Sequence, residues 1–153
     1  MEVYTDKTQC TGCTACFSIC SKKAITMTED AEGFLYPVID DLKCVKCGKC
    51  SKVCKQRTSW NRAEETRVFI GQNKDDIDLK KSSSGAIFPV IAQYVLNQNG
   101  LVCGAGFDSE NVCRHFIVDN KEDLNRLLGS KYVQSEIPAS LYREVKDYLL
   151  AER

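Results

Sequence analysis

Residues 44–54 read CVKCGKCSKVC, four cysteines separated by two, two and three residues, with a lysine in every gap. Upstream, residues 10–20 read CTGCTACFSIC and repeat the same spacing. Thiolates are soft ligands, and four brought so close in sequence suit a metal or metal–sulfur group. A second run with identical spacing makes coincidence implausible, so the two runs are read together.

The chain has 153 residues, enough for one ordinary domain or two small ones, and its apolar fraction of 43% is that of a globular protein. Ten cysteines in so short a chain would fit a secreted disulfide scaffold, but the N-terminus MEVYTDKTQC has no apolar signal region. No apolar run reaches the length of a membrane span, so no membrane association is expected. The expected compartment is therefore the reducing cytoplasm, where clustered cysteines bind metal or do redox chemistry. A formal net charge of zero gives no case for nucleic acid as a partner.

The C-x2-C-x2-C-x3-C runs resemble the bacterial ferredoxin signature, in which three cysteines hold one cubic cluster and the fourth ligates the other. That resemblance implies two [4Fe-4S] clusters: Cys10, Cys13, Cys16 and Cys54 hold cluster one, and Cys44, Cys47, Cys50 and Cys20 hold cluster two. Structural zinc is the competing ligand for paired cysteines, but zinc ribbons separate two pairs and do not run four cysteines together twice. Between the runs, AITMTEDAEGFLYPVID (24–40) has two short strand-like stretches around a turn-rich centre and predicts a hairpin. This is the layout of a pseudo-symmetric two-cluster ferredoxin over residues 1–56. One departure is that Ser21 and Lys55 stand where the signature has proline.

Lys43, Lys46, Lys49, Lys52 and Lys55 recur every third residue, and Lys22 and Lys23 follow Cys20. All seven are expected near cluster two. Cations beside a cluster favour its reduced, more negative state, which predicts the higher potential for that cluster. A solvated polar face without a role, or a docking patch for an acidic partner, are the alternatives.

Residues 57–66 are polar, lack apolar periodicity and predict a linker. Beyond it, VFIG (68–71) reads as a strand and KDDIDLKK as a polar connection. Ile87, Val90, Ile91, Tyr94 and Val95 have helical spacing, with the preceding serines as N-cap candidates and Gly100 as the stop. LVCGAGFD (101–108) and VCRHFIVD (112–119) read as two strands joined by a turn, KEDLNRLL as a short helix ending at Gly129. A last helix is expected from Pro138, with Leu141, Val145, Tyr148 and Leu149 on one face. No strand follows it, so the α/β layer over 67–153 reads as unfinished.

KSSSGAIFPVIAQYVLNQNGLVCGAGFD and LNRLLGSKYVQSEI are similar to the beginning of the coenzyme F-420 hydrogenase/dehydrogenase beta-subunit family, including members that carry an N-terminal two-cluster ferredoxin. Where that family often has a second glycine, this chain has Ala86. The resemblance implies a flavin-type reductase domain that binds FAD where complete, and transfer of electrons between clusters and a two-electron carrier. It implies flavin contacts for Ser82, Ser83, Ser84 and Gly85 and for Gly129, Ser130, Lys131 and Tyr132. By themselves the serines also make an ordinary N-cap.

Cys103 and Cys113 are expected to be buried small apolar residues, His115 a strand residue without a catalytic role, and Trp60 a linker residue packing the two halves together. The expected fold is α+β, a ferredoxin domain followed by an incomplete α/β reductase domain. The expected function is electron transfer, with a redox partner protein or a missing flavin-domain segment as partner. The alternatives are a carrier docking on a separate oxidoreductase and a zinc-bound interaction module.

Overall fold

The computed structural model describes residues 3–4, 6–57 and 67–151. The chain divides into two compact units, the first mainly Met1–Ala63 and the second mainly Glu64–Leu141 with Val145–Arg153. Trp60 and residues 58–66 of the expected linker lie outside the described residues; Arg57 belongs to a 3₁₀ turn, Lys55–Arg57.

In the first unit, strands β1 (Ile25–Glu29) and β2 (Leu35–Ile39) form an antiparallel hairpin with Ile25 opposite Ile39 and Glu29 opposite Leu35. Asp30 makes the turn: its carboxylate accepts the backbone N–H groups of Glu32 and Phe34, both at 3.0 Å, and Gly33 takes φ +83°. The Lys7 ammonium reaches the same carboxylate at 2.6 Å and lies 4.3 Å from the centre of the Tyr36 ring. Helices α1 (Ala15–Ile19) and α2 (Lys49–Val53) each close one cysteine run and pack against one another. Two such short helices are not stable alone. They are held by a core in which Val3, Cys16, Ile25 and Cys50 are buried and Tyr4, Phe17, Ile39 and Val53 pack around them.

In the second unit, α3 (Asp76–Lys81) precedes α4 (Ile87–Asn97), and strands β3 (Val102–Phe107) and β4 (Cys113–Val118) pair antiparallel from Val102–Val118 to Phe107–Cys113. The Asp108 carboxylate accepts from the N–H groups of Glu110 and Val112, each at 2.9 Å, and closes the turn between them. Helix α5 (Lys121–Leu124) runs into a 3₁₀ turn, and α6 (Leu141–Leu150) follows. Between them Glu136 bridges in parallel to β4, exchanging bonds with His115 and Cys113 at 3.0 and 2.8 Å. The core is Ala92 and Leu96 of α4, Val102 and Val118 of the sheet, and Leu124 and Leu127. Burying each of these leucines contributes about 1.5–3 kcal/mol. The whole is α+β.

Four expectations are corrected. VFIG is no strand: Val68, Phe69 and Ile70 are 84%, 84% and 102% exposed and pair with neither sheet among the described residues. KDDIDLKK is a helix, α3, because the Asp75 side chain caps the N–H groups of Ile77 and Asp78 at 2.8 and 3.0 Å, while acidic residues fill its first turn and lysines its last. Helix α4 starts at Ile87 without a serine cap; its N-cap is Ala86 in the left-handed region (φ +52°), and Ser82 instead ends α3. Helix α6 starts at Leu141 rather than at Pro138.

Candidate functional site

Each cysteine run folds into the same loop. Left-handed residues bracket the middle cysteine, Gly12 (φ +64°) and Thr14 (φ +57°) in the first run and Lys46 (φ +55°) and Gly48 (φ +74°) in the second. Only one of the two positions is glycine in each run, and it is a different one. The strain of the other, about 1–2 kcal/mol for an L-residue, is carried by a threonine in one loop and a lysine in the other. These turns curl the chain around a central space before the third cysteine starts the helix. Helix α1 or α2 then directs the fourth cysteine away.

Two cavities result. One is lined by Cys10, Cys13 and Cys16 together with Cys54, closed by Tyr4, Met27 and Pro37. The other is lined by Cys44, Cys47 and Cys50 together with Cys20, closed by Ala24, Ile25 and Ile39. Each therefore gathers three cysteines from one run and the last cysteine of the other. None of the ten cysteines is in a disulfide. Among the described residues, no three or more Cys, His, Asp or Glu side chains stand close enough to hold a single metal ion. Four cysteines line each cavity, and this donor set fits a group that takes four thiolates.

Burial pushes the Cys16 thiol up to about 12, and it raises Cys10, to which the neighbouring Cys13 and Cys54 add. Thiols so reluctant to ionise are poor free nucleophiles, and a metal group must displace their protons on binding. The exit turn after Cys20 supplies one hydrogen bond to sulfur, from the Ala24 N–H to the Cys20 Sγ at 3.3 Å. It runs through Lys23 at φ +49°. Ser21 thus stands at the proline position of a tight turn closed by sulfur. After Cys54 the chain enters the 3₁₀ turn instead.

The lysines divide between the cavities. Lys22 and Lys49 line the cavity of Cys20, Cys44, Cys47 and Cys50. Lys55 lines the other one, beside Cys54, which corrects the expectation that all seven lysines gather at one cluster. Periodicity along the chain does not see that α2 and its exit turn cross from one cavity to the other. Lys43 is engaged by Asp40 at 2.9 Å.

In the second unit, the serine stretch and the GSKY turn come together: the Ser130 N–H donates to the Ser83 Oγ at 2.8 Å across a long separation in sequence. With Phe88, Pro89, Gly104, Ala105 and Leu127 they line a cavity of about 350 Å³, at the small end of ligand pockets. Ser82, Ser83, Gly129, Ser130 and Lys131 face it; Ser84, Gly85 and Tyr132 do not line it. Gly85 is instead a point of close backbone approach. A Cβ there would run into the carbonyl oxygen of Gly71, and the Asn73 N–H, 2.7 Å from the Gly85 oxygen, ties the two segments together. Tyr132 is 93% exposed. The Ser82 Oγ is buried with no hydrogen-bond partner among the described residues. The Lys131 ammonium donates to the carbonyls of Leu128, Gly129 and Arg126 at 2.6, 3.1 and 3.4 Å, and burial lowers its pKa. An orphaned hydroxyl, an ammonium and an apolar wall fit a polar-edged aromatic ligand.

Cys113 is buried as expected, whereas Cys103 is exposed on β3 beside an apolar groove formed with Val145, Tyr148 and Leu149 of α6. His115 Nδ1 is 3.1 Å from the Ser135 Oγ, a pairing sequence patterns did not reveal because residue 135 joins β4 only through the parallel bridge.

A paired-loop, two-helix, one-hairpin unit with two cysteine-walled cavities is the architecture of a ferredoxin-type domain. Residues 9–58 match the 4Fe-4S dicluster domain, which supports a ferredoxin-type domain over this part of the chain and suggests electron transfer. No curated protein matches the chain. Among the described residues, no helix is long and apolar enough to cross a membrane.

Proposed function

We propose that this protein transfers electrons through two [4Fe-4S] clusters and couples them to a flavin held by its second unit. Cys10, Cys13, Cys16 and Cys54 would hold one cluster and Cys44, Cys47, Cys50 and Cys20 the other. The observation that carries this reading is the crossed lining of the two cavities, because a dicluster domain requires each run to lend its last cysteine to the other. Four cysteines shared crosswise between two equal runs support two clusters over structural zinc, which takes its thiolates as two separate pairs.

Clusters of this type accept and release one electron each, and a flavin exchanges two electrons as a hydride or one at a time. The chain's own contribution is to fix the sulfurs, to exclude water with Tyr4, Met27, Ile25 and Ile39, and to set local charge with Lys22, Lys49 and Lys55. In the second unit, Ser82, Ser83, Ser130 and Lys131 would contact polar edges of the flavin, with Phe88 and Leu127 against its rings. The cavity takes only part of a dinucleotide flavin. Ser84, Gly85 and Tyr132 are not assigned contacts. The similarity to the F-420 hydrogenase/dehydrogenase beta-subunit family supports the same cofactor, with the reducing environment of the cytoplasm as its setting.

Anaerobic purification followed by iron, sulfide, zinc and flavin quantitation tests the reading. About eight iron and eight sulfide per chain, with spin-coupled signals after dithionite reduction, are expected. Zinc in place of iron overturns the electron-transfer reading. Full iron without flavin leaves a carrier that docks on a separate oxidoreductase.

A further inference from the structure

The two cysteine runs build the same loop, yet their charge differs completely. Residues 10–20 contain no charged side chain, whereas 43–57 hold Lys43, Lys46, Lys49, Lys52, Lys55 and Arg57 and no acidic residue. Because the first run reaches the same left-handed turns without charge, loop formation does not require the lysines. Internal ion pairing does not account for them either. Lys43 meets Asp40, but Lys22, Lys23, Lys46, Lys49 and Lys52 are exposed and form no ion pair among the described residues. Five exposed cations without an ion pair among the described residues give this stretch a positive field that steers an acidic partner towards it.

The second run exposes apolar surface beside these lysines. Val45 is 60% exposed, and Cys47 is the exposed cysteine of the eight. Val45, Cys47 and Lys49 line one cavity with Lys22, while Lys46 stands between Val45 and Cys47. An apolar centre with a charged rim is the anatomy of a protein interface.

We propose that this face docks an acidic one-electron carrier protein. Its carboxylates meet Lys22, Lys46, Lys49 and Lys52, and its redox group is brought up to Cys47. The proposal rests on the electron-transfer reading above and adds the partner's charge and the side of the domain it meets. Rim charges of this kind steer encounter and set register, so binding depends on salt.

The test uses the iron-loaded full chain, an acidic flavodoxin as probe and cytochrome c as a basic counterpart, with binding measured at about 25 mM and about 500 mM salt. Flavodoxin binding is expected to weaken about tenfold or more at high salt and in K46Q/K49Q/K52Q. K22Q, outside that cysteine run, is expected to weaken binding in the same direction. K80Q/K81Q, on α3, is expected to bind as wild type, and cytochrome c not to bind. Flavodoxin binding that ignores both salt and the lysine variants, at unchanged iron content, overturns the docking and leaves the electron-transfer reading standing. Equal binding of cytochrome c or of a short DNA duplex also overturns it. A wild-type chain without iron overturns the electron-transfer reading itself.

Discussion

Removing cysteines in pairs separates crossed ligation from two self-contained runs. Cys54 belongs to the second run in sequence but lines the cavity of Cys10, Cys13 and Cys16, while Cys47 lines the cavity of Cys20. If each cavity holds one four-iron cluster, Cys13→Ser and Cys54→Ser strike the same cluster. The double variant C13S/C54S then retains about four iron per chain from an initial eight, little different from either single variant. C47S/C54S strikes both clusters and retains close to none. Self-contained runs reverse the pattern, with C47S/C54S keeping about four iron and C13S/C54S losing all. Iron and sulfide assays on anaerobically purified protein, with the spin-coupling between clusters read by EPR, decide it. Loss of coupling is expected in every single variant. The reversed pattern would refute the reasoning from cavity lining, whatever the total metal content of the wild type.

The cavity walled by Lys22 and Lys49 is expected to hold the cluster of higher potential. A single charge at about 10 Å in a water-like dielectric shifts it on the order of 20 mV, so K22Q and K49Q should each lower that midpoint in a redox titration and leave the other cluster nearly unchanged. Gly85→Ala is expected to destabilise the second unit by about 1–3 kcal/mol because backbone must shift to admit the Cβ. Gly104→Ala, whose nearest obstacle is the flexible Leu127 Cδ1 at 3.2 Å, should cost less; equal losses in thermal unfolding would refute the difference. Lys131→Ala is expected to remove about 1–2 kcal/mol even without flavin, since its ammonium bonds three carbonyls. Burial lowers the folded pKa of Lys131 below 10.5. The unfolded chain therefore holds the proton longer, and this residue's contribution rises as pH climbs through the folded value; K131A should flatten that rise in pH-dependent melts.

The cysteine spacing, the hairpin between the runs and the β3–β4 pair were legible in the sequence, because each rests on local periodicity and turn chemistry. Helix α3 was missed because its stabilising features, an aspartate cap and charged ends, are polar and give no apolar pattern. VFIG has strand composition, but a strand needs an edge to pair with, and pairing is not a local property. The serines had the identity of a cap; the close backbone approach at Gly85 and the left-handed Ser84 and Ala86 delay the helix to Ile87.

Two things belong to the sequence by itself: two metal-binding runs of one spacing, and the concentration of lysine in only one of them. Both follow from residue identity and order. Tertiary structure alone decided that Lys55 faces the cavity opposite to its run, that Thr14 and Lys46 bear the strain a glycine relieves in the other loop, and that two distant motifs meet around the unpaired Ser82 hydroxyl. The reason is that loop curvature and helix direction send neighbouring residues to different spaces, while packing joins residues that the chain order keeps apart.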